Sequence, residues 1–230
     1  MTVAKYRPLT FGVTRAVLRD GETGVHYLRA DNALPPYPER LTDRLVHWAK
    51  ERPDQTLFAR RVKNADGSTG DWRHISFAQA LDAARRIGQG LLDRGLSAER
   101  PVLILSENDL EHALLALGCL YAGVAYCPTS PAYSLISQDF DKLHHVVKTL
   151  TPGLVFASDA LRYSRAMLAT LGDGVELVTT KGTVPGRDTT SFAALLATEP
   201  TPAVDAAMAA TGPDTIAKFL FTSGSTKMPK

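Results

Sequence analysis

Only two cysteines occur in the chain, Cys119 and Cys127. Neither has zinc-ligand spacing or further cysteines around it. That excludes a disulfide framework and a zinc ribbon, and it leaves two buried thiols in a reducing compartment. A surplus of charge is also missing: 26 Lys and Arg against 24 Asp and Glu leave a formal +2. Such a balance gives no electrostatic case for a nucleic-acid or membrane-surface partner. No apolar stretch has the roughly 20 residues of a bilayer span. The nearest approach, Ala113 to Cys127, is interrupted by Gly118 and Gly123 and ended by Pro128, and reads as a buried helix running into a buried strand. The first residues, Met1 to Pro8, hold no apolar core of signal-peptide length, so the cytoplasm is the expected compartment. Internal repeats and low-complexity segments are absent too. What remains is 230 residues with 44% hydrophobic content, enough for one sizeable core.

Residues 1 to 37 have weak periodicity, and Leu34-Pro35-Pro36-Tyr37-Pro38 is extended because proline fixes its own φ and restricts its predecessor. The expectation is an extended N-terminal arm over 1–37, lying over a domain that spans 38–230. Leu41, Leu45, Val46 and Trp48 fit one helical face, closed by Pro53. Strands at Thr56–Val62 and Asp71–Ile75 flank Asn64-Ala65-Asp66-Gly67-Ser68, a hairpin signal. Ser76, with Gln79 three residues on, forms a capping box for a helix striped by Phe77, Leu81, Ala84, Ile87, Leu91 and Leu92. Gly95 supplies its left-handed stop. Pro101 to Leu105 reads as a strand covered on both faces. Asn108 is expected to open the next helix, which exits into a strand at Val124–Pro128. A helix from Ser137 to Leu150, a strand at 153–157, a helix at 159–171 and a strand at 175–178 follow. A short helix at 191–197, a loop at 198–203 and a final strand after Asp214 complete the chain. This alternation predicts parallel βαβ units and an α/β fold with helices on both faces of the sheet. Ligands in such folds sit at the carboxyl ends of strands.

The chemistry is concentrated at one such end. The apolar run Ile216 to Phe221 empties into Thr222-Ser223-Gly224-Ser225-Thr226-Lys227-Met228-Pro229-Lys230. Small residues can turn several N–H groups toward one point, making a nest for an anion. Thr222, Ser223, Ser225 and Thr226 add hydroxyls, and Lys230 adds a charge suited to phosphate. A Walker A loop is excluded, since that needs Gly-x-x-x-x-Gly-Lys-Ser/Thr. The bland alternative is a polar turn after a buried strand. Elsewhere, Asp109 and Glu111 fit either the first turn of a helix, where the dipole favours anions, or a carboxylate pair; the helix start is the commoner role. His112 reads as a solvated helix residue with nothing at metal spacing beside it. The adjacent His144 and His145 face different directions on a helix, and a His without a matched partner fails the geometric test for a general base.

The residues 222–230 resemble the phosphate loop of the adenylate-forming enzymes (acyl-CoA synthetases, adenylation domains and luciferases), which reads roughly Thr-Ser-Gly-Thr/Ser-Thr-Gly-x-Pro-Lys. One position departs: Lys227 stands where the family has Gly. Either the loop is shaped differently there or Lys227 adds a second phosphate cation. Ser225 with Lys227-Met228 is most similar to the feruloyl-CoA synthetase branch. The unit Pro101 to Pro131 also resembles the acyl-CoA synthetase fold, through Ala122-Gly123-Val124 and Pro128 to Pro131, with Ser130 where Asn is usual.

The resemblance implies a ligase that joins a carboxylic acid to ATP, giving an acyl-adenylate, and then to coenzyme A. The acid would be aromatic, of the hydroxycinnamic or ferulic kind. Mg²⁺ would accompany ATP. Thr222, Ser223, Gly224, Ser225, Thr226 and Lys230 would hold the ATP phosphates, with Lys227 as a further candidate. No catalytic residue and no metal ligand is assigned within these residues, because in the family those motifs follow the loop. The chain is therefore expected to be the N-terminal part of a longer enzyme's large domain, incomplete at its C-terminus, inactive alone, and left with an unfinished sheet edge. Two alternatives stay open: an adenylating enzyme for a fatty or amino acid, and a nucleotide- or phosphate-binding α/β module without ligase chemistry.

Overall fold

Short apolar runs become the strands of one parallel sheet. In the computed structural model the described residues are 12, 15–64, 66–222 and 228–230. By its internal contacts the chain divides into Met1–Pro38 and Glu39–Lys230. The first unit holds an antiparallel hairpin of β1 (Ala16–Asp20) and β2 (His26–Ala30). The expectation of extended chain over 1–37 missed this pair, whose strands are short and almost wholly exposed, so no apolar alternation announces them.

The second unit begins with α1 (Leu41–Glu51), a second hairpin of β3 (Thr56–Lys63) and β4 (Thr69–Ser76), and α2 (Phe77–Leu92). The hairpin turns at Gly67, whose φ of 82° suits glycine. Ser76 and Gln79 exchange the two bonds of a capping box at the start of α2. Then come β5 (Val102–Leu105), α3 (Leu110–Ala122), β6 (Tyr126–Pro128), α4 (Ala132–Leu135), α5 (Asp141–Leu150), β7 (Leu154–Asp159), α6 (Ala160–Thr170), β8 (Glu176–Lys181), β9 (Thr190–Ser191), α7 (Phe192–Leu196) and α8 (Pro202–Ala210). The five strands from β5 onward pair in parallel in the order β6-β5-β7-β8-β9.

Both faces of this sheet are covered, and period-two alternation sorts the strand residues between them. Val102, Ile104, Leu154, Phe156 and Val178 meet the layer of α1, α2, α3, α7 and α8. Leu103, Leu105, Val155, Ala157 and Leu177 meet the layer of α5 and α6. The expected α/β fold with a parallel sheet is therefore observed. Ala113 to Cys127 is, as expected, a buried helix turning through Gly123 (φ 69°) into a buried strand. Among the described residues no helix is long and apolar enough to cross a membrane.

Several local expectations are corrected. Asp109, not Asn108, caps α3, accepting the His112 N–H at 2.7 Å. His112 is half-buried rather than solvated, with Nδ1 3.0 Å from the Ser106 hydroxyl. The helix expected from Ser137 starts at Asp141, because the Ser137 hydroxyl accepts the Phe140 N–H and Phe140 takes φ 56°. A short α4 precedes it. The loop expected at 198–203 ends at Thr201, which caps α8 with Pro202 in its first turn; both residues signal a helix start. The strand expected at 216–221 is reduced to a single bridge, for a reason given below.

Both thiols lie in the core, at 0% exposure. Burial raises both, Cys127 to about 12. Neither is expected to react with a maleimide in the folded protein at pH 7, and both should react in urea. Rapid labelling of either in native buffer would contradict this placement.

A polar clamp fastens α8. The Arg85 guanidinium on α2 donates to both oxygens of Asp205, at 2.9 and 2.6 Å, and the Tyr121 hydroxyl on α3 donates at 2.9 Å. The bidentate bonds from Arg85 hold the Asp205 carboxyl below its ordinary range, and the Tyr121 bond adds to this against a partial desolvation. A carboxyl depressed in the folded state contributes stability above its unfolded value of about 4, and that contribution is lost as pH falls through the folded value. Asp205→Asn is thus expected to lower the urea midpoint at pH 7, and the gap to wild type should close below about pH 4. A gap that persisted at low pH would assign the effect to packing.

Candidate functional site

The site grows from the edge of the sheet. Tyr126 of β6 makes a parallel bridge to Lys218. The Tyr126 N–H donates to Ala217 O at 3.4 Å, and the Phe219 N–H donates to Tyr126 O at 2.9 Å. The next ladder bond would need the N–H of residue 128, which is proline and has none. The segment after Asp214 therefore runs as a sixth strand position held at one point. Alternation survives there: Phe219 and Phe221 pack on the α5–α6 side, whereas Leu220 is 61% exposed. Because the bridge is parallel, Thr222 emerges past the carboxyl end of β6.

Thr222 and Lys230 are brought together. The Thr222 N–H donates to the Lys230 main-chain oxygen at 2.9 Å, and the Thr222 hydroxyl donates to the same oxygen at 3.2 Å. These bonds close a loop on its own ends. Pro229 is buried, while Thr222 and Lys230 are exposed, so the feet are anchored and the polar groups face solvent. Ser223, Gly224, Ser225, Thr226 and Lys227 lie outside the described residues.

Two side chains with chemical potential are used elsewhere. Asp109 and Glu111 face the β3–β4 hairpin, where Arg60 approaches Asp109 and Arg73 pairs with Glu111. Their role is to dock that hairpin on the start of α3, in addition to starting the helix. His145 is the residue that sequence reasoning left without a partner. It reaches the loop, with Nε2 2.9 Å from Pro229 O. No local pattern signals that pairing across 84 residues. A cavity of about 250 Å³, lined by Arg40, Leu120, Val124, Thr211 and Ile216 among others, opens at the amino end of β6 and touches neither Thr222 nor Lys230. Among the described residues no three His, Cys, Asp or Glu side chains converge as metal ligands would.

The comparison with known families bears on most of this chain. Residues 45–230 match the family described as AMP-binding enzyme. The chain belongs to that family. Relatives of this AMP-binding chain include fatty acyl-CoA synthetase B of Dictyostelium discoideum, 30% identical over 118 residues, which is 51% of this chain and 17% of that protein. Phenyloxazoline synthase MbtB of Mycolicibacterium paratuberculosis is 28% identical over 216 residues, or 94% of this chain and 15% of that protein. The AMP-binding chain thus spans less than a fifth of the length of either relative. Among solved structures, the adenylation domain of a keto acid-selecting NRPS module bound to keto acyl adenylate superposes with a TM-score of 0.61 at 24% identity, covering 84% of this chain and 31% of that one. The fatty acyl-adenylate ligase from L. pneumophila in complex with acyl adenylate and pyrophosphate gives 0.57 at 20% identity, covering 84% and 30%. At these identities the likeness is one of fold.

Proposed function

We propose that the chain carries the phosphate-loop portion of an ATP-dependent carboxylate–CoA ligase. The observation that carries this reading is the loop closed by Thr222 and Lys230 past the carboxyl end of β6, in a chain of the AMP-binding family. In the proposed reaction the acid's carboxylate oxygen attacks the α-phosphorus of MgATP. The bond to the bridging oxygen breaks, and pyrophosphate leaves. The thiol of coenzyme A then displaces AMP from the acyl-adenylate, giving a thioester and releasing a proton. The loop's part is to hold the β and γ phosphates while charge builds on the departing pyrophosphate. Ser223, Gly224, Ser225 and Thr226 supply N–H and O–H groups in this scheme, and Lys230 supplies the cation. In this scheme the Thr222 hydroxyl turns from the Lys230 oxygen onto a phosphate oxygen while the Thr222 N–H keeps its bond to Lys230. Lys227 is a second cation in this scheme only if Lys227→Gly raises the KM for ATP; an unchanged KM assigns it to loop shape.

The acid we propose is aromatic, of the hydroxycinnamic kind, on the strength of Ser225, Lys227 and Met228. The relatives' names keep fatty and amino acids as the competitors to test. The test is acid-dependent ATP–pyrophosphate exchange by the full-length protein with ferulate, coumarate, fatty acids and amino acids, followed by CoA-dependent release of AMP. Exchange with an acid but no AMP release on adding CoA would keep the adenylation step and remove the thioester step. Nucleotide binding without any acid dependence would replace the ligase by a binding module.

A further inference from the structure

His145 makes two contacts that bear on the loop, and both are to its feet. Its Nε2 lies 2.9 Å from Pro229 O, and since a carbonyl only accepts, Nε2 carries the hydrogen. Its ring meets the Phe221 ring edge-on, with centroids 6.4 Å apart and planes at 79°. Phe221 immediately precedes Thr222, and Pro229 immediately precedes Lys230. One side chain therefore spans both strands of the loop's base, one residue below the Thr222–Lys230 closure. Its mounting is rigid: Leu143 and Val146 of α5 are 0% exposed in the core, and Leu150 is 7% exposed, so the helix is bolted to the sheet. The neighbouring His144 is exposed, which leaves His145 as the α5 histidine turned to the loop.

We propose that His145 is a positioning residue for the phosphate loop, fixing the carbonyl of Pro229 so that the Lys230 ammonium starts from a set point before nucleotide arrives. The proposal rests on the nucleotide reading of the loop. Its physical basis is preorganisation: a foot held in advance does not spend binding energy on ordering, and the cation it carries acts on developing charge without reorganising. The Thr222–Lys230 pair closes the loop but does not tie it to the fold. That tie comes from His145, together with the Tyr126–Phe219 main-chain bond, the partial burial of Phe219 and the burial of Pro229.

The experiment uses two variants of the full-length protein. His145→Phe keeps an aromatic ring against Phe221 and removes the donor; His145→Gln keeps an N–H at similar reach and removes the ring. Hydrogen exchange of the peptides that span Phe219 to Lys230 is followed without nucleotide, and the KM for ATP is measured apart from kcat. The expected result is faster exchange in His145→Phe, a KM for ATP raised about tenfold, and recovery to within about threefold of wild type in His145→Gln, as loss of one half-buried hydrogen bond implies. Wild-type exchange in His145→Phe, or equal losses in both variants, overturns the proposal. If wild type does not respond to ATP while exchange still separates Phe from Gln, His145 holds the loop and the nucleotide reading falls instead.

Discussion

Lys230→Ala is expected to lower acid-dependent ATP–pyrophosphate exchange about a hundredfold or more, the usual cost of removing one group aimed at charge that develops in a transition state. The expectation follows from where the residue sits. Its main-chain oxygen receives both Thr222 donors, so the backbone is fixed at the loop's closure, and its exposed side chain starts from a defined point. Truncation to alanine leaves that backbone bond intact. The variant should therefore keep the wild-type urea midpoint while losing rate. Lys230→Arg should restore only part of it, because a planar fork does not replace a point charge at a fixed reach. A Lys230→Ala enzyme with full exchange activity would remove the loop from the mechanism.

The largest effect on stability is expected at the crossing of α2 and α3. Gly118 sits against Ile87 and the Gly88 backbone: a Cβ built there would lie 2.7 Å from Ile87 Cβ and 3.3 Å from Gly88 N. Ile87 is at 0% exposure and β-branched, with little freedom to give way. Gly88 answers from the other helix, with the carbonyl oxygen of Gly118 3.2 Å from its own missing Cβ. The two glycines let the backbones approach as larger residues would not. Gly118→Val is expected to cost roughly 3 kcal/mol or more through overpacking, against a gain in helix propensity of only a few tenths of a kcal/mol, since β-branched valine is itself a poor helix former. That is a large share of a domain's stability of about 5–15 kcal/mol. Gly174 is the control: a Cβ there would meet nothing within 4 Å, and its change to Ala should move the urea midpoint little. A folded, wild-type-stable Gly118→Val would mean that the helices are farther apart than described.

What was legible in the sequence follows the range of the forces involved. Ser76 and Gln79, Gly67 and Gly95 act within a few residues of themselves, and their caps and turns stand as expected. The continuous apolar runs at 102–105 and 154–157 mark doubly covered strands for the same local reason. Errors arose where a distant partner decides. Ile216 to Phe221 has the composition of a strand, but its pairing depends on Pro128, which lacks the donor the ladder needs. Asp109 and Glu111 do start the helix as expected, and what the sequence could not add is the approach of Arg60 and Arg73 to them. The α8 helix is the reverse case: Thr201-Pro202 is a legible start signal, outweighed by Pro200 and Pro202 together, which suggest a loop. At the candidate site, the hydroxyl- and lysine-rich run was visible at once. The closure of Thr222 on Lys230, and the reach of His145 to Pro229, needed the fold.

The most direct measurement is ATP–pyrophosphate exchange by the full-length protein, with and without carboxylic acid, at saturating MgATP. The expected result is exchange that depends on an added acid, strongest with a hydroxycinnamate, and that falls with Lys230→Ala. Exchange absent with aromatic, fatty and amino acids alike, or exchange indifferent to Lys230, would contradict the assignment of this loop to an acid-activating site.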